Sequence, residues 1–184
     1  MLFTRIIKSG IDAPIDGLQR LLYPNIVTAW GLNADSATDY NSYSRAYRNQ
    51  AADGYVPEVF VSGKEYKEVL VNDKIKALSF FSVGETIQFS GNQLQADVSM
   101  LFFVNLTKIN ASSERADEEV RQQIVQMVQG IKSFGFAFTG IETGVDNVLR
   151  DYEGLRRNPG FKFRDMHPFH CFKLNFTVRY KSNC

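Results

Sequence analysis

The stretch from Gln95 to Gly135 constrains this chain most, because a long alternating run is followed at once by an amphipathic one. Ala96, Val98, Met100, Phe102, Val104 and Leu106 recur at period two, which predicts a strand with one fully buried face. The residues between them, Asp97, Ser99, Leu101, Phe103, Asn105 and Thr107, are polar at the ends and apolar in the middle, so the second face is expected to be partly covered. Beyond Asn110–Ser113, Val120, Ile124, Met127, Val128 and Ile131 form one stripe at helical spacing, with Gln122, Gln123, Gln126 and Lys132 mainly on the wet side. A strand over 95–109 packed on a helix over 113–134 is the expected core of one α+β domain spanning residues 1–184.

The rest of the chain supplies strands before that helix and few helices elsewhere. Asp12-Ala13-Pro14 with Ile15, Leu18, Leu21 and Leu22 predicts a short helix ended by Pro24. Residues 33–42 are rich in turn formers and lack a period, which reads as a mobile loop. Tyr43 to Asn49 predicts a strand with Tyr43, Arg45 and Tyr47 on one face. Residues 55–61 and 66–71 around Ser62-Gly63-Lys64-Glu65 predict a hairpin, with Pro57 near an edge. Ala77 to Val83 predicts a strand broken by Gly84-Glu85, and Ile87-Gln88-Phe89 leads through Ser90-Gly91-Asn92 into the central strand. After it come a short apolar segment at Phe136–Phe138, a second short helix within 143–152 and an irregular basic loop over 153–168. Phe172, Leu174, Phe176, Val178 and Tyr180 then alternate with Lys173, Asn175, Thr177 and Arg179, a final strand read as half buried and half wet. The expected architecture is a mostly antiparallel sheet packed against one long helix and shorter ones.

Charge and motifs narrow the chemistry. Lys and Arg number 21 against 20 Asp and Glu, a balance that argues against a protein gripping nucleic acid through its phosphates. Two cysteines, Cys171 and Cys184, make no disulfide framework, and no apolar run approaches the length of a membrane span. The chain therefore reads as soluble and intracellular when made, without membrane contact. His167, His170 and Cys171 are the one grouping with metal-ligand chemistry. On a strand, however, His170 and Cys171 point to opposite faces, and no further ligand pair completes a zinc site. Glu142, Asp146 and Asp151 do not share a helix face. No phosphate loop and no nucleophile–base arrangement is present, so neither catalysis, cofactor nor metal is expected.

Arginine and aromatic residues stand out instead. Tyr43, Arg45, Tyr47 and Arg48 form one group, and Arg156 and Arg157 with Phe161, Lys162, Phe163 and Arg164 another. These residue types dominate protein–protein contacts and also stack on single-stranded nucleic acid. Nearby Asp39, Asp53, Glu58 and Glu65 balance the charge and favour protein contact. The acidic turn Glu114, Asp117, Glu118 and Glu119, beside Arg115, suits a helix N-terminus and could receive those arginines from another copy.

Several phrases carry a family likeness: Tyr47-Arg48-Asn49, Tyr55-Val56-Pro57-Glu58-Val59, Phe103-Val104-Asn105-Leu106, Arg115-Ala116-Asp117-Glu118-Glu119-Val120 and Thr139-Gly140-Ile141-Glu142-Thr143-Gly144. With the element order, they resemble the tail-terminator and head–tail connector proteins of tailed bacteriophages, including those of Bacteroidetes phages and prophages and the crAss-like group. The resemblance covers residues 12–181 and is structural, and the segment 33–90 is longer than a minimal terminator needs. It implies a tail-terminator-like fold and a virion protein assembled in the bacterial host cytoplasm into a homo-oligomeric ring. Its implied partners are neighbouring head, neck or tail proteins, with genomic DNA passing through the lumen without specific binding. Residues 1–11 and the loops 33–42 and 153–168 would reach onto neighbours, and Asp97 or Asp146 would line the lumen. The rival classes are a small metal-dependent nuclease or hydrolase and a nucleic-acid-binding accessory protein.

Overall fold

The computed structural model describes residues 1–5, 8–61, 65–69, 74–110, 116–131, 134–157 and 167–181. Its strands are β1 (Leu2–Phe3), β2 (Tyr40–Ala51), β3 (Gly54–Val61), β4 (Glu65–Glu68), β5 (Ala77–Ser90), β6 (Gln93–Asn105), β7 (Phe136–Thr143) and β8 (Phe169–Tyr180). The helices are α1 (Asp12–Ala29), α2 (Ala116–Gln129), α3 (Val145–Val148) and α4 (Glu153–Arg157), with a 3-10 turn at Leu106–Lys108. The strands join one sheet in the order β4-β3-β2-β5-β6-β8-β7, with β1 beside β2. Pairing is antiparallel except for β1–β2 and β2–β5, so the fold is α+β on a mostly antiparallel, mixed sheet.

The alternating run does bury its first face. Ala96, Val98, Met100, Phe102 and Val104 of β6 face α1 and α2, whose Ile15, Leu18, Leu22, Ile26, Val120, Ile124 and Val128 complete that core. Phe102 stacks on Phe172 of β8 at 4.9 Å and meets Trp30 edge-on. Gln19, fully buried, donates from Nε2 to the carbonyls of Ser42 and Phe3 and so ties α1 to β1 and β2.

The second face is covered more completely than its mixed sequence suggests. Leu101, Phe103, Phe80, Leu78 and Cys171 pack under Val148, Leu149, Tyr152 and Leu155 from α3, α4 and the link between them. Tyr152 donates to Ser82 Oγ, and burial pushes its phenol up to about 12. Gly154 lets α4 lie directly on β3, since a Cβ there would come within 2.7 Å of the Gly54 carbonyl. The molecule is thus three layers deep where α3 and α4 cover the sheet.

Several expectations need correction. α1 runs through Pro24 to Ala29, because Tyr23, Ile26 and Trp30 continue the buried stripe and offset one missing N–H. With 18 residues it is longer than α2, which has 14. Residues 40–42 of the expected loop are buried in β2, and Asp39 anchors the turn before them by accepting from Asn33 N, Ser36 Oγ and Lys76 Nζ. Gly84 does not end a strand, since β5 passes it with a register shift and continues to Ser90. Residues 153–157 of the expected basic loop are helical, and 158–166 lie outside the described residues. The wet face of β8 is interrupted by Lys173, which is buried. No helix among the described residues is long and apolar enough to cross a membrane.

Both faces of the sheet should carry stability. Ile124→Ala, under α2, and Leu149→Ala, in the α3–α4 layer, are each expected to cost about 2–5 kcal/mol through a buried cavity. Urea midpoints measure this, and a neutral Leu149→Ala would show that the second layer is not a core.

Candidate functional site

Beyond the α3–α4 layer, the second face of the sheet opens into a polar trough of about 590 Å³. Its floor is Ser82, Asp97, Ser99, Asn175 and Thr177, the polar members of β5, β6 and β8. The walls add Arg48, Glu85, Glu142, Arg150, Asp151 and Lys173. A second hollow, with Gln95, Thr139 and Arg179, continues it toward β7.

A relay of hydrogen bonds fixes the trough's centre. Ser99 Oγ donates to Asn175 Oδ1 at 2.7 Å, and Asn175 Nδ2 donates to Glu142 Oε1 at 2.7 Å. Lys173 Nζ completes it, 3.1 Å from Glu142 Oε2 and donating to the Asn147 carbonyl at 3.3 Å. The Lys173 side chain is 6% exposed and that of Glu142 36%. Burial would raise the Glu142 pKa, but bonds from Lys173 and Asn175 outweigh it and hold the carboxyl below its ordinary range. The ammonium is spent on the carboxylate and a carbonyl. Charge across the trough is near balance, with Arg48, Arg150 and Lys173 against Glu85, Asp97, Glu142 and Asp151.

The residues singled out in the sequence do not form one patch. β2 shifts register between Ser42 and Arg45, so Tyr43 and Arg45 face opposite ways. Tyr43 stacks on Phe3 at 4.6 Å and packs against the second core. Arg45 lies over the Tyr47 ring, 3.9 Å from Asp12 of α1, while Arg5 bonds both Asp12 and the Tyr47 hydroxyl. Burial raises the Asp12 pKa despite these two cations. Arg48 points to the trough, where it stacks on Tyr55 and pairs with Glu85 at 2.5 Å.

The acidic residues are also engaged. Asp117 and Glu118 both pair with Arg121, and Glu119 accepts from Gln123, which in turn accepts from Trp30 Nε1. Arg156 pairs with Asp146 and Arg157 with Glu153. Glu114 and Arg115 lie outside the described residues. His170 and Cys171 do face opposite sides, His170 stacking on Phe172 in the first core and Cys171 lying in the second. Among the described residues no group of three or more His, Cys, Asp or Glu side chains could hold a metal ion.

Sequence reasoning passed over two features. Lys173 reads as a solvated residue of an alternating strand, and only the pairing of β7 with β8 brings Glu142 beside it. The other is the arm formed by β5 and β6 beyond Val83, where Phe89 is 87% exposed and Ile87 50%. Their alternation about the Ser90-Gly91-Asn92 turn signalled a hairpin, but not that its apolar side chains would be left bare.

No protein-family model matches the chain, and no curated protein is similar to it at a significant level.

The Lys173–Glu142 pair gives the trough a measurable acid response. Because the folded pKa of Glu142 is depressed, its contribution is complete above the ordinary value of 4.5 and is lost as pH falls through the folded value. Glu142→Gln should cost about 1–2 kcal/mol at neutral pH, a figure kept small because the carboxylate is partly solvated. It should also shrink the acid-induced loss. Lys173→Met combined with Glu142→Leu should recover most of that stability. Urea midpoints at neutral and acidic pH provide the check.

Proposed function

We propose that this chain is a structural subunit of a tailed-phage virion, forming a closed ring at the head–tail joint or the top of the tail as a terminator or connector. The observation that carries this reading is the β5–β6 arm. It exposes a phenylalanine and an isoleucine on strand backbone that lacks a partner on one side among the described residues. Bare apolar side chains beside an open strand edge mark a surface made to be covered. β7, by contrast, is the outer strand at one end of the sheet, so the two open edges that a subunit offers are unlike. Unlike surfaces that join head to tail generate rings when the rotation closes.

The sequence resemblance supplies the setting, and the trough agrees with it. A wall along which double-stranded DNA slides must not hold phosphates, and near-balanced charge with Arg48 and Lys173 already paired meets that need. The expected contact between Arg45 or Arg48 and Asp117 or Glu118 of the next copy would have to break pairs that each chain already makes. The apolar arm carries no such cost.

Native mass spectrometry and electron microscopy of the purified protein at micromolar concentration test the proposal. One ring stoichiometry with a central opening is the expected result. A protein monomeric throughout and absent from particles would overturn it.

A further inference from the structure

Pairing within the sheet determines which way the arm's side chains point. Ile87 is opposite Ala96, which belongs to the core under α1 and α2, and Phe89 is opposite Leu94, which packs against that core. Both therefore project on the helix-covered side. On the same side, Leu18, Val128, Gln129, Ile131, Phe136 and Phe138 line a hollow of about 210 Å³ between α1, α2 and β7. A cavity of about 150 Å³ lined by such residues takes benzene, so this one is of a size for a single phenyl ring.

The arm cannot fill its own chain's hollow. Ile87, Ala96, Val178 and Phe136 lie on one rung of the sheet, so β5 and β7 are three strand spacings apart, roughly 14 Å. A second copy can fill it. Three antiparallel pairings separate β5 from β7, so the two run in opposite directions. A neighbour held in the same orientation beside β7 then presents its β5 arm antiparallel to that edge. Its Ile87 and Phe89 would fall on the face that carries Phe136, Phe138 and the part-exposed Ile141.

We propose that Phe89 of one copy seats in the Leu18–Val128–Ile131–Phe136–Phe138 hollow of the next, with the β5 arm lying along β7. This rests on the ring reading and names the contact that closes it. Knob and hollow are different surfaces, so the contact is heterologous, as a cyclic ring requires.

Complementary variants test it by sedimentation velocity. Phe89→Ser removes the knob at an exposed position and should leave the fold of the single subunit unchanged by circular dichroism. Ile131→Glu spoils the hollow, and Gln129→Trp fills its mouth from an exposed position should Ile131→Glu disturb folding. Each variant alone should weaken self-association by about 10- to 100-fold, the effect of burying one phenyl ring. Mixing Phe89→Ser with a hollow variant should restore one intact contact per pair and give 1:1 dimers but no rings, an outcome that general destabilisation would not produce. Rings of Phe89→Ser as stable as the parent's, or mixtures without dimers, would overturn the knob-and-hollow contact and leave the ring reading standing. A parent monomeric at every concentration would overturn both.

Discussion

The structure depends on β6 being satisfied on four sides at once. Its two edges are taken by β5 and β8 in long antiparallel registers, which occupies its ladder groups. Its two faces carry adjacent phenylalanines, Phe102 and Phe103, that are both fully buried. One face demands the α1–α2 layer and the other demands a second layer, however small. The α3–α4 segment is short and meets that demand only where β6 is apolar. Where β6 turns to Asp97 and Ser99 the cover stops, and the open trough begins. The place of the polar surface is thus set by how far the second apolar face extends.

Local pattern made much of this legible. The strand 95–109 and helix 113–134 correspond to β6 and α2, and the hairpin of residues 55–71 corresponds to β3 and β4. Period-two and helical runs report which face is apolar, and those elements are long enough to show it. What the pattern did not carry was pairing. Nothing near Lys173 in sequence announces Glu142, and nothing near Arg48 announces Glu85. The arginine–tyrosine group looked like one surface because alternation was extended through β2, where a register shift between Ser42 and Arg45 reverses it. Pro24 misled for a related reason, since a proline's local penalty is outweighed when the helix on both sides has a core to cover.

The charged residues divide by what holds them. At the start of α1, Asp12 pairs with Arg5 and Arg45, close to where β2 changes partner from β5 to β3, and Asp16 pairs with Lys8 and Arg20. Glu142, Lys173 and Asn175 form a second group at the trough. The second is tied to backbone positions that the pairing of β7 with β8 already fixes, so it shapes a surface more than it stabilises the fold. The apolar arm stands apart from both groups, and among the described residues its Phe89 and Ile87 are the most exposed large apolar side chains.

The position of β8 has a kinetic consequence. It lies between β6 and β7 in space yet is the last strand in sequence, pairing Leu94 with Tyr180 and Asn105 with Phe169. Until β8 has been synthesised, β6 keeps a bare edge, β7 has no partner among the described strands, and Phe102 lacks the ring it stacks on. The sheet therefore closes after translation has passed residue 180, by contacts of long sequence separation that form slowly. A ribosome-bound chain is in the meantime an aggregation-prone species whose central apolar strand is paired on one edge only.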